Sequence, residues 1–171
     1  NCIRLPIWYR NLVDENGNWY SNAFDRLDWF IETAGRYGIY VIIDMHGAYG
    51  SQNGSHNSGI YGGSTNQQKR DNSKLFFGTD AATNQAKFYE MWYKIADHYK
   101  NNPVVAGYDL LNEPMADYMD SGLNETKQER LSILWNVYDK AYKRIRTVDT
   151  NHIIMMEAVW DPDTLPNPTE K

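Results

Sequence analysis

The chain alternates between short, near-continuous apolar runs and longer stretches in which apolar residues recur every three or four positions. The runs lie at residues 2–5, 39–45, 104–111 and 152–158. Each is too short and too β-branched for a helix, so each reads as a buried strand, the first stopped by Pro6. Between them, Phe24, Leu27, Phe30, Ile31, Ala34 and Tyr37 mark one helix face, closed by Gly38. A second helix carries Phe88, Met91, Trp92, Ile95, Ala96 and Tyr99. A third, from about 125 to 146, carries Leu131, Leu134, Trp135, Tyr138, Tyr142 and Ile145. Residues 46 to about 79 are rich in Gly, Asn and Ser and follow neither period, a length that in a compact domain marks a functional or disordered loop.

Strand and helix in alternation, with strands apolar on both faces, predict an α/β fold with a parallel sheet under helices. A doubly wound sheet would want a Gly-rich turn after its first strand, and "CIRLPIWYRN" has none. The expected fold is therefore part of a parallel (β/α)8 TIM barrel, about four βα units. A whole barrel takes roughly 250 residues. The 171 residues open inside a strand and end in a loop, so 1–171 reads as one partial barrel domain with strands missing at both ends. Those strands would come from the same longer chain, or a second copy would close the barrel.

In such barrels the chemistry collects where strands end. Here the first end carries Arg4 and Trp8, the second Asp44 and His46, the third Asn112 and Glu113, the fourth Glu157 and Trp160. Alternation along a strand sends Asp44 and His46 to one face, and Asp109, Leu111 and Glu113 to one face. Asn112 and Glu113 can then share a site only if the strand leaves its pleat before Pro114. Glycosidic cleavage wants such a set: two carboxyl groups, one an acid and the other a nucleophile or base, with an Arg holding its partner carboxylate ionised. A metal site would want three ligands, often several His, and only His46 stands at a strand end, so no metal is expected.

With "IRLPI" around Arg4, "VIIDMH" ending at His46 and "GYDLLNEP" with its Asn-Glu pair, the chain resembles the retaining glycoside hydrolase family 5, the cellulase family, from that family's second barrel strand to its fifth. The loop "HGAYGSQNGSHNSG" resembles the "HGAPGSQNG" loop of β-glucanases in the family, with Tyr49 where Pro is frequent. The resemblance implies that Glu113 is the acid/base, that Asn112 contacts the hydroxyl beside the reacting carbon, that Arg4 supports the nucleophile and that His46 lines the reacting subsite. It places the nucleophile on a strand this chain does not include, and it implies double displacement on β-glucans of cellulose or mixed-linkage type, without a cofactor. Glu157 is read as substrate-binding, Trp8 and Trp160 as sugar-stacking, and Tyr9, Gln52 and Asn53 as further subsite contacts. Asp44 is read as orienting His46 or Arg4. The competing reading is an inactive half-barrel that at most binds glucan.

Charge and composition narrow the partners. A net charge of −5 with no basic run argues against nucleic acid and anionic membranes, and no apolar run approaches a membrane span. Six Trp and 13 Tyr suit either a large core or stacking on sugar faces. Cys2 stands alone, so no intrachain disulfide forms. A polymeric substrate would favour secretion.

Overall fold

The computed structural model describes residues 1–61, 64–114 and 123–157. Four strands, β1 (Cys2–Trp8), β2 (Tyr40–Gly47), β3 (Val105–Asp109) and β4 (Ile153–Met155), form one sheet in sequence order, and every neighbouring pair is parallel. Parallel neighbours require crossovers, and helices supply them. Helix α1 (Asp25–Arg36) joins β1 to β2, α2 (Asn66–Asn72) and α3 (Ala81–Tyr99) lie between β2 and β3, and α4 (Lys127–Arg146) leads to β4.

Burial follows the sequence pattern except at Tyr37 and Tyr142, which are exposed. Leu27, Ile31 and Ala34 of α1, Phe88, Met91, Trp92 and Ile95 of α3, and Leu134, Val137, Tyr138, Ala141 and Ile145 of α4 are buried. They join Ile7, Val41, Ile43, Met45, Val105 and Tyr108 of the strands in one continuous core. Helix α4 begins at a capping box in which Thr126 accepts from the Glu129 amide and Glu129 reaches back to Thr126. Gly38 stands at φ +68° just beyond α1, a left-handed stop that a side chain would resist.

The structure corrects several details. Pro6 does not stop β1, which continues to Trp8. Among the described strands β1 has a ladder partner on one side only, where a residue without an N–H is tolerated. Tyr37 lies beyond the end of α1 and is exposed rather than inward. Strand β3 ends at Asp109 and β4 at Met155, both shorter than their apolar runs. The Gly/Asn/Ser stretch contains α2, started by a capping box between Thr65 and Gln68.

The register fixes which side chains meet. Asp44 of β2 lies beside Pro6 and Asp109, and Asp109 lies beside Met155, so this row crosses all four strands. Val41, Ile43 and Met45 point into the helix-covered core. Their alternates Ile42, Asp44 and His46, with Arg4 and Asp109, point to the opposite, inner face.

Candidate active site

Arg4 is the hub of the inner face. It projects from the inner side of β1 toward the C-terminal strand ends, where its guanidinium meets groups from the other three strands. Its Nε donates to Asp109 Oδ2 at 2.7 Å, and Nη1 donates to Asn112 Oδ1 at 3.0 Å and lies 3.0 Å from Asp44 Oδ2. Nη2 donates to Glu157 Oε1 at 2.6 Å. Among the described residues three of the five guanidinium N–H groups donate hydrogen bonds, and Asp44 is held by charge.

One cation therefore faces three carboxylates. Asp44 and Asp109 are buried, and one oxygen of each, Oδ1, has no hydrogen-bond partner among the described residues. Burial pushes the Asp109 carboxyl up to about 7, the Arg4 hydrogen bond opposing the rise and the negative charge of Glu157 adding to it. Burial raises Asp44 as well, against the hydrogen bond from His46 and the charge of Arg4. Burial works against the Arg4 guanidinium, but the hydrogen bond and charge of Asp109, with Asp44 and Glu157, carry it above its ordinary value. Asp44 Oδ2 also lies 2.8 Å from His46 Nδ1, so a single oxygen orients both His46 and Arg4.

The chain turns out of its pleat where "LLNEP" follows β3. Glu113 has φ +45°, a left-handed conformation that costs a residue with a side chain roughly 1–2 kcal/mol. The turn is held from several sides. The Asn112 amide donates to Met45 O at 3.1 Å, and the Asn112 carbonyl accepts from Gln52 Nε2 at 2.8 Å. The Glu113 amide donates to Glu157 Oε2 at 2.7 Å, and its carbonyl accepts from Asn53 Nδ2 at 3.1 Å. The turn lets Asn112 reach Arg4 while the Glu113 carboxylate meets Asn57, whose Nδ2 lies 2.6 Å from Oε2. Glu157 thus bridges the Arg4 guanidinium and the Glu113 main chain, and its own carbonyl accepts from Tyr138 OH at 2.9 Å.

Arg4, His46, Asn112, Glu113 and Glu157 are therefore gathered at the C-terminal strand ends. Trp8 stands at the same rim but its indole packs on Gly47 and Gly59, where an added Cβ would come within 2.9 Å and 2.7 Å of it. It also lines a groove of about 190 Å3 with Tyr9, Arg10, Ser58, Ile60 and Lys74. Trp160 lies outside the described residues. Gln52 and Asn53 are buried and donate to backbone carbonyls, so they brace the site. Asn57 was not singled out by sequence reading. It sits on a single 3-10 turn, His56–Ser58, in the aperiodic loop, and only the folded chain brings it to Glu113.

Residues 1–169 match the family described as Cellulase (glycosyl hydrolase family 5). The chain belongs to the cellulase family, glycosyl hydrolase family 5. Its relatives include a β-xylosidase of Phanerodontia chrysosporium, 32% identical over 92% of this chain and 29% of that protein. They also include a sporulation-specific glucan 1,3-β-glucosidase of Saccharomyces cerevisiae, 33% identical over 95% of this chain and 33% of that one. The chain thus spans about a third of the length of these curated relatives. Among solved structures, an endo-glycoceramidase II from Rhodococcus superposes with a TM-score of 0.69 at 19% identity, covering 91% of this chain and 40% of the other. The endoglucanase Cel5A of Thermotoga maritima gives 0.63 at 20%, covering 98% and 45%. The four-stranded parallel sheet and its helices are thus a segment of the family 5 TIM-barrel fold, as the strand-and-helix alternation led us to expect.

Proposed function

We propose that the longer enzyme to which this segment belongs hydrolyses β-glucans by retaining double displacement, with Glu113 as acid/base. The observation that carries the reading is the Asn112–Glu113 turn, a left-handed carboxylate residue at a barrel strand end whose amide, carbonyl and side chain are each held by a different partner. Fixing a carboxyl group this tightly in a strained turn suits a group that must deliver a proton along one line.

In the first step Glu113 gives its proton to the leaving glycosidic oxygen as a second carboxylate attacks the sugar. In the next it takes a proton from water. Asp44 and Asp109 are buried, and both oxygens of Glu157 are engaged, so the attacking carboxylate comes from beyond the described residues. A further N–H of Arg4 would hold it. His46, fixed by Asp44, lines the reacting position, Asn112 offers its amide to the adjacent hydroxyl, and Glu157 holds Arg4 and the turn rather than attacking. Trp8 and its groove receive a sugar beyond the scissile bond.

The relatives described as glucan 1,3-β-glucosidases support a β-glucosyl unit at the reacting position. They widen the linkage from the β-1,4 and mixed types first expected to β-1,3. A polymeric substrate outside the cell would make the enzyme secreted. None of the described helices is long and apolar enough to cross a membrane. The 171-residue piece alone is expected to bind glucan at most.

The test is reducing-sugar release by the full-length enzyme from laminarin, mixed-linkage β-glucan and cello-oligosaccharides, with Glu113→Gln beside it. The expected result is hydrolysis of at least one glucan and a loss of about 10²- to 10⁴-fold in the variant. Undiminished hydrolysis by Glu113→Gln would overturn the assignment.

A further inference from the structure

Three amide side chains of one loop converge on the Asn112–Glu113 dipeptide. Gln52 takes the Asn112 carbonyl, Asn53 takes the Glu113 carbonyl, and Asn57 takes one carboxylate oxygen. The loop that presents them is internally locked. Ser51 and Ser58 hydroxyls meet at 2.5 Å, and Ser51 Oγ also accepts from the Gly54 amide at 2.8 Å. Gly54 stands at φ +61° against the carbonyl of Lys69 in α2, so closely that an added Cβ would collide with that backbone. Helix α2 thus backs the loop, and the loop backs the acid.

We propose that Asn57 is a positioning residue that decides which oxygen of Glu113 carries the catalytic proton. The inference rests on the acid/base reading of Glu113. Asn57 Nδ2 is the one hydrogen-bond donor to the Glu113 carboxyl among the described residues, and it engages Oε2. An oxygen that accepts an N–H is the carbonyl oxygen of the protonated acid, so the hydroxyl proton resides on Oε1. Oε1 has no partner among the described residues and is the oxygen left to face a glycosidic bond. Without the amide, the proton divides between two oxygens and the carboxyl is free to rotate. The acid then spends less of its time aimed at the leaving oxygen.

That loss has a signature that damage to the fold does not. A leaving group that departs without a proton, such as 2,4-dinitrophenolate, does not need the acid, whereas phenolate does. The experiment compares full-length wild type, Asn57→Ala, the nearly isosteric Asn57→Asp and Glu113→Gln on 2,4-dinitrophenyl and phenyl β-D-glucosides, with thermal midpoints alongside. Asn57→Ala and Asn57→Asp are expected to lose about tenfold or more in kcat/KM on the phenyl glucoside, and under about threefold in the glycosylation rate on the dinitrophenyl one. Glu113→Gln should show the same contrast more steeply. Equal losses on both substrates in the Asn57 variants, or none on either, beside a steep Glu113→Gln contrast would overturn the role of Asn57 alone. A flat Glu113→Gln profile would overturn the acid assignment and the Asn57 proposal with it.

Discussion

Two buried aspartates at opposite ends of the sheet are treated in opposite ways. Asp149, in the turn that enters β4, is fully provided for. It accepts from Tyr108 OH at 2.6 Å, lies 2.6 Å from His152 Nδ1, and takes the amides of Asn151 and His152 at 2.9 and 3.1 Å. The ring's other nitrogen meets the Asn102 carbonyl at 3.1 Å, and Arg146 caps the carbonyls of Asp149 and His152. Burial works against the ionised Asp149, but these hydrogen bonds bring its carboxyl below the ordinary value. Asp109, at the other end of β3, has one Arg4 N–H, an Oδ1 without a partner among the described residues, and a raised pKa. The satisfied network pins the β4 turn; the unsatisfied one shares a single cation among three carboxylates. Barrel enzymes divide their ends between stability and chemistry, and the contrast agrees with the proposed site.

The largest effect that separates the two ends is on stability. Asp149→Ala strips Tyr108 and His152 of a shared partner in the core, and urea unfolding of the full-length protein should show a loss of about 3 kcal/mol or more. Asp109→Asn should cost far less, because it removes a charge that the site holds poorly. A comparable loss in both variants would erase the contrast.

Next comes pH, where the two carboxylates act in opposite directions. The folded state holds a proton on Asp109 up to about 7, while the unfolded chain releases it near 4. Its contribution to stability is therefore complete below about 4 and is lost as pH rises to about 7. Asp149, lowered on folding, contributes stability above about 4 that is lost as pH falls below that value. Stability curves of Asp109→Asn should decline less between pH 4 and 7, with the raised Asp44 supplying what remains, and keep the acid-side loss. A wild-type curve that rises through the same interval would contradict this.

The smallest expected effect lies away from both ends. Removing the cap of α4 with Thr126→Ala should cost about 1 kcal/mol in unfolding and leave the pH curve unchanged. A changed pH curve would mean that α4 is coupled to the carboxylate cluster.

Much of this was legible in sequence because apolar periodicity is written residue by residue. The four strands, three long helices and the residues at the strand ends could be placed from it. The Asn112–Glu113 problem could even be posed as a need to break the pleat, and the left-handed Glu113 supplies that break. Polar contacts between distant segments were not legible. Gln52 and Asn53 read only as subsite contacts, and their hydrogen bonds to the Asn112 and Glu113 carbonyls had no mark in the sequence. Helix α2 has no buried face to announce it, and its only mark was the spacing of Thr65 and Gln68. Asn57 gave no sign at all, since its partner is 56 residues away.

The most direct test of Glu113 is chemical rescue. Full-length Glu113→Ala would be given 2,4-dinitrophenyl β-glucoside with and without sodium azide, and the products read by NMR. If Glu113 is the acid/base of a retaining enzyme, the glycosyl-enzyme intermediate accumulates and azide, needing no base, restores turnover and yields the β-glucosyl azide. Turnover indifferent to azide, or an α-azide product, would contradict it.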